Sequence, residues 1–273
     1  MASAHLLQET STLQKDSSTA DRGISSRSGI YVYAMGAIAL GVTGLVWSDF
    51  ATNWQRVPAN VPLRVPLATL TALCELVAGA ALLWRRTARI AAAILTILFA
   101  VFVLLWVPPI LHAPAIYDSW GNFFEESSLV IAGLVLFAYL GPVGSAWAAR
   151  RITISRLYGI CPISFGLDHI IYLKGVATWV PTWIPPGQMF WAIATTVCFL
   201  LAATAILSGV LAGLAARLLT AMIVGFELLI WIPKLLAAPH DHFAWAGNAI
   251  SITMAGAAWV VADSLNRSPS QPT

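Results

Sequence analysis

The side chains best suited to chemistry are one pair, Asp168-His169, and a few carboxylates, Glu75, Glu227 and Glu125-Glu126. Each interrupts an apolar stretch. Histidine changes charge near neutral pH and a neighbouring carboxylate can take or return its proton. Asp168-His169 therefore reads as a proton-accepting pair, with Glu227 or Glu75 as the relay. Structural readings stand beside these. Glu125-Glu126 suit the positive end of a helix, His169 reads equally as a buried histidine joining two helices, and Glu75 and Glu227 as neutral groups bonded to backbone. His240-Asp241-His242 offers two imidazoles at i, i+2, too few ligands for a metal centre; it reads as a solvated loop, and no metal is expected. Cys74, Cys161 and Cys198 lie inside apolar runs, and no Cys-x-x-Cys occurs. A thiol–disulfide relay needs accessible, paired cysteines. His169 is the one histidine at membrane depth, where a bis-histidine haem needs two. Phosphate loops, zinc-protease motifs and serine nucleophile elbows do not occur.

The elements that must hold these groups are membrane helices. Of 273 residues 59% are hydrophobic and 10% charged, and the mean hydropathy is +0.79, where a soluble domain carries about 25% charged residues. Residues 1–29 are polar, without the apolar core of a cleaved signal, and read as a disordered tail. Apolar spans of about 20 residues follow near Ile30–Trp47, Val65–Trp84, Ala88–Val107 and Asn122–Leu140, then near Ser155–Leu173, Gln188–Ala212, Ala215–Ile232 and Ala244–Ala262. The fold expected is an all-α polytopic membrane protein of eight helices, with a short polar tail at 264–273.

Eleven of the 15 Lys and Arg (Lys15, Arg22, Arg27, Arg85, Arg86, Arg89, Arg150, Arg151, Arg156, Arg217 and Arg267) fall on the side shared by the tails and the loops after spans two, four and six. Arg56, Arg64, Lys174 and Lys234 fall on the other. Positive charge stays on the cytoplasmic face, which predicts cytoplasmic termini. The outer loops instead carry Trp54, Trp120, Trp179, Trp183 and Trp245, as indoles at the headgroup layer do. The basic residues form no stripe, and nucleic acid is not an expected partner.

The chain repeats itself. Trp106-Val107-Pro108, Ala113-Pro114 and Trp120-Gly121-Asn122 return as Trp231-Ile232-Pro233, Ala238-Pro239, Trp245, Gly247 and Asn248. One apolar run ends at each Trp-x-Pro and another begins after each Gly-Asn, so this is read as the outer corner of a helix hairpin. Tyr33 matches Tyr158, Gly41 matches Gly166 and Trp54 matches Trp179 at one shift; Cys74 with Cys198 and Arg89 with Arg217 lie close to it. Four spans per repeat put both halves in parallel orientation, as two tandem four-helix bundles at 30–148 and 149–263, about an axis along the membrane normal. The ionisable groups do not repeat. Glu75 stands opposite Phe199, Asp168-His169 opposite Thr43-Gly44, and Glu227 opposite Phe102. A carboxylate at the bilayer centre costs about 2.5–3.5 kcal/mol on insertion scales. By helical rise Glu227 lies on the order of 9 Å inside Pro233 and Glu75 about 15 Å inside its span. An outward-opening polar pocket roofed by Trp231, Trp106, Trp179 and Trp183 accounts for such groups in the outer half of the membrane.

Gly166-Leu167-Asp168-His169, Lys174, Trp179-Val180-Pro181 and Trp183-Ile184-Pro185 resemble the first hairpin of the DoxX-like family of small bacterial integral membrane proteins. Cys74-Glu75-Leu76-Val77-Ala78-Gly79-Ala80 resembles the Gly/Glu patch of that family's second helix. The resemblance covers residues 30–263 as two fused copies, split so that the copy with His169 has Phe199 in place of the Glu and the copy with Glu75 has Gly44 in place of the His. Either each half has lost part of a site or the two build one. The resemblance implies a bacterial inner-membrane protein in a redox-accessory or quinone-interacting role, with quinone as the cofactor to look for and a membrane redox partner supplying the electron carrier. The competing reading is non-enzymatic: small-solute or proton-coupled transport, or a membrane scaffold. The bilayer is the one certain partner, and a homo-oligomer is compatible with either reading.

Overall fold

Helix α1 (Ser28–Trp47) stops at Ser48, whose left-handed backbone (φ 51°) ends the ladder. A computed structural model describes residues 27–142 and 144–266; most of both polar tails, with Lys15, Arg22 and Arg267, lies outside the described residues. The chain continues through α2 (Arg64–Leu82), α3 (Ala88–Leu105), the short α4 (Val107–His112) and α5 (Tyr117–Tyr139). It then runs through α6 (Ala146–Leu157), α7 (Ile160–Ile171), α8 (Leu173–Trp179), α9 (Gln188–Ser208) and α10 (Ala212–Phe226). A π turn at Glu227–Trp231, α11 (Ile232–Ala237) and α12 (His242–Leu265) complete it. All described regular structure is helical. Seven helices are long and apolar enough to cross a membrane, and a bent pair, Ala146–Ile171 with Leu173–Trp179, makes eight if it counts as one span. Val46, Val77, Ile90, Ile97, Leu104 and Leu201 each remain more than half exposed on these spans, a surface suited to lipid.

The corners differ from the sequence reading in one respect. Regular α-helix breaks at each Trp-x-Pro, at Trp106 after α3 and at the π turn ending on Trp231, but the chain does not turn there. The short helices α4 and α11 carry the chain on to His112 and Ala237, and the next helices begin at Tyr117 and His242, ahead of Trp120 and Trp245. Proline is tolerated because Pro108 and Pro233 occupy the first turn of α4 and α11, where an N–H has no intrahelical partner to lose. The turns themselves are the same structure twice. Ala113 sits at φ −141°, ψ 69° and Ala238 at φ −136°, ψ 70°. The Trp120 indole donates to the Pro114 carbonyl at 3.1 Å, and the Trp245 indole to Pro239 at 2.8 Å.

The fifth span also departs from expectation, being three pieces rather than one helix at Ser155–Leu173. Pro162 has no N–H to give the Tyr158 carbonyl, which instead accepts from Cys161 at 3.0 Å. Beyond Tyr172 the chain turns through 98°, laying α8 across the end of the span with Lys174 and Trp179.

Packing follows chain order: α1 on α2, α2 on α3, α3 on α5, α5 on α6 and α7, α7 on α9, α9 on α10, α10 on α12. Helix α12 then packs back on α1, the most extensive contact of all, and on α5 across the middle. Small residues allow that closure. A Cβ on Gly29 would lie 2.7 Å from the Val260 nitrogen, and one on Gly36 or Gly256 would enter Thr253 or the Tyr33 backbone. One end of the molecule gathers the start of α1 with the ends of α5 and α12, through Ile30, Tyr139 and Asp263. On that same end Arg89 lies over Phe137, Arg151 over Tyr139, and Arg156 against Gly209. The Trp/Pro corners occupy the other end.

Candidate functional site

Asp168 and His169 lie in the last turns of α7, which packs on α5. Gly121 lets the helices meet there: a Cβ on it would be 3.2 Å from Asp168 Oδ1. Glu125 is one turn further along the same face of α5. Around these three opens a cavity of about 150 Å³, with Ser251 of α12 as its fourth polar group. Phe165, Phe199 and Phe226 form walls, and Trp54 and Trp231 close the side toward the Trp/Pro corners. Trp54, Gly121 and Glu125 come from the first half of the chain, the other named residues from the second. His169 stands edge-on to Phe199, ring centroids 5.2 Å apart, with the Thr195 hydroxyl 3.5 Å from its Nδ1. Among the described residues no Lys or Arg lines the cavity.

Trp54 reaches the site because the loop after α1 folds inward, burying Phe50, Ala51, Trp54 and Gln55. The Trp54 indole donates to Glu125 Oε2 at 2.7 Å, and its carbonyl accepts from the Trp106 indole at 3.0 Å. The next side chain, Gln55, donates to Glu75, while its own Oε1 accepts from the Ala51 N–H at 3.0 Å. Two consecutive loop residues thus satisfy two carboxyl groups on two helices. Glu126, 1% exposed, does not line the cavity, and neither of its oxygens has a partner among the described residues.

The predicted site residues therefore divide. Asp168 and His169 share the cavity. Glu75 does not; it is buried with Gln55 in the first half. Glu227, at the start of the π turn, is buried beside the cavity close to Ser251, and neither of its oxygens makes a hydrogen bond of ordinary geometry among the described residues. The π turn sets it there by inserting a wider loop of helix just before Trp231, an arrangement frequent at functional sites. Of the four predicted roof residues, Trp231 lines the cavity and Trp179 packs on it at 5.6 Å. Trp106 supports Trp54 from behind, with Arg56 over its ring at 5.1 Å. Trp183 is 73% exposed and stands apart. Trp54 and Phe243 fill the remaining roof, stacked at 5.5 Å. Asp241 is spent on capping α12, accepting from Phe243 and Ala244, and His242 stacks on Trp47 at 5.0 Å.

Glu125 is the functional candidate that sequence reasoning set aside. With α5 expected to begin at Asn122 it looked like a first-turn carboxylate, but the helix starts at Tyr117 and only Asp118 lies in its first turn. The field in the cavity is acidic: Glu125 and Asp168 face each other across it, with Asp118 beyond. Aromatic faces and carboxylates together favour a ligand with positive charge or a proton to share. Set against known proteins, the chain matches no family model, no curated protein and no solved structure.

Proposed function

We propose that this is a multi-pass inner-membrane protein of the DoxX-like kind, two tandem four-helix repeats in parallel orientation with cytoplasmic termini, whose shared outward pocket binds a small solute and couples its passage to protons. The convergence of Glu125, Asp168 and His169 under Trp54 and Trp231 carries this reading. Ionisable groups at membrane depth that converge on a cavity are the usual mark of a substrate or proton path. The experiment is solute-driven proton movement in proteoliposomes loaded with a pH dye. Addition of a transported solute moves protons across wild-type membranes, and Asp168→Asn or His169→Ala abolishes the signal while leaving the protein folded. A panel of cationic, neutral and anionic solutes that moves no protons overturns the reading.

A second reading is supported by a separate feature. Phe165, Phe199 and Phe226 line the cavity with His169, Phe199 directly against its ring, walls suited to a flat ring whose carbonyl takes the imidazole proton. In that case the protein is a redox-accessory subunit that holds quinone and exchanges protons with it, while a membrane partner supplies the electron carrier. Solvent extraction of the purified protein and mass spectrometry then finds near one quinone per chain, lost on His169→Ala. Extraction without quinone removes this second reading.

A further inference from the structure

On the outer face of Trp231, away from the cavity, the Lys234 ammonium sits in a box of aromatic rings. Its Nζ is 4.0 Å from the Trp179 ring centroid, 4.6 Å from Phe243 and 5.6 Å from Trp231. The three rings come from separate elements, α8, the π turn and α12, and touch one another at 5.6–6.4 Å. Lys234 makes no ion pair among the described residues. The outer arginines are placed otherwise: Arg64 pairs with Asp49 at 2.8 Å, and Arg56 lies over the single ring of Trp106. Beside the box opens a hollow of about 330 Å³, lined by Thr178, Trp179, Leu229, Ile230 and Lys234.

Three ring faces turned on one ammonium is the arrangement that recognises quaternary and methylated ammonium ligands, because each face presents the negative side of its quadrupole. One ring of the box, Trp231, is also the outer wall of the cavity that holds Glu125 and Asp168. A cation leaving the box past Trp231 meets two carboxyl groups and no competing Lys or Arg.

We propose that the Trp179–Trp231–Phe243 box is an entry site for a small organic cation of the quaternary- or tertiary-ammonium class, held here by the protein's own Lys234, and that the acidic cavity beneath is where that cation goes. The inference rests on the solute reading and names its substrate class. Lys234 is a tethered competitor: an incoming cation must displace its ammonium, and the flexible side chain has the open hollow to withdraw into.

The test is titration calorimetry of the purified full-length protein with tetramethylammonium, a probe that cannot donate hydrogen bonds. Lys234→Met tightens binding roughly five- to thirtyfold, the gain expected when a resident cation–π contact no longer competes. Lys234→Arg keeps a cation in the box and stays near wild type. Trp179→Ala in the Lys234→Met background loses the gain, and Glu125→Gln with Asp168→Asn weakens what remains. Absence of saturable binding to a folded Lys234→Met protein, judged by a single gel-filtration peak, overturns the proposal, as does equal affinity in Lys234→Met and Lys234→Arg. The two levels separate cleanly. Binding without cation uptake into proteoliposomes sinks the transport reading and leaves the cation site standing. Proton-coupled uptake of a neutral or anionic solute, with no tetramethylammonium binding, does the reverse.

Discussion

Trp54 and Gln55 are adjacent in the chain, yet each completes a different buried carboxyl, and their removal should be felt in different ways. Gln55→Ala leaves Glu75, 1% exposed, without its donor. A buried polar group stripped of its partner costs about 1–3 kcal/mol, so the variant should melt earlier in detergent. Glu75→Gln still offers Gln55 an acceptor and should melt close to wild type; equal losses in the two variants would mean the bond carries no stability. Trp54→Phe keeps most of the ring and deletes only the indole donor to Glu125. It should change ligand affinity more than melting temperature, because Glu125 has the cavity on its other side. Asp168, His169, Glu75 and Glu227 were legible in the sequence because a charge inside an apolar run is expensive and therefore conspicuous. The Trp54–Glu125 and Gln55–Glu75 bonds were not, since they span 71 and 20 residues and depend on a loop folding inward, which no helical period reports.

At the scale of elements, the repeated corner shows what pattern reading can and cannot resolve. The Trp-x-Pro and Gly-Asn signals marked both corners and their equivalence. They did not show that a short helix resumes at once beyond each Trp-x-Pro, because proline fits a helix's first turn as well as it fits a loop. Likewise the apolar pattern of the fifth span concealed its division: Pro162 sits where one carbonyl, that of Tyr158, loses its donor, and hydrophobicity is unchanged across the break. Glycines give sharper tests. Gly247 lies directly under Trp231, and an added Cβ would overlap the indole ring. Gly247→Ala must push Trp231 out of the roof, with an overpacking cost of about 1–3 kcal/mol, and should shift tryptophan emission and weaken ligand binding together. Gly225, in α10, has nothing within 4 Å of where a Cβ would go. Gly225→Ala should leave binding unchanged and raise stability by up to about 1 kcal/mol, since glycine costs that much in a helix interior. A stabilised Gly247→Ala would contradict the placement of Trp231 over α12.

The whole molecule is a closed circuit in which the last span seals against the first, and this closure fixes which chain ends lie together. Span parity puts eleven basic residues on one side, and three of them, Arg89, Arg151 and Arg156, lie at the end where α1 begins and α12 finishes. The assignment of that end to the cytoplasm rests on the preference of positive charge for the inner face. Labelling with a membrane-impermeant maleimide decides it. Cys74, Cys161 and Cys198 lie inside α2, α7 and α9, where aqueous reagent does not reach, so the natural thiols should give little background. Ala149 and His240 are exposed at opposite ends. In intact spheroplasts His240→Cys should label and Ala149→Cys should not, with Ala149→Cys becoming reactive only after permeabilisation. The reverse pattern would turn the molecule over, place the Trp54–Trp231 roof and the Lys234 box on the cytoplasmic face, and make any cation bound there an intracellular one.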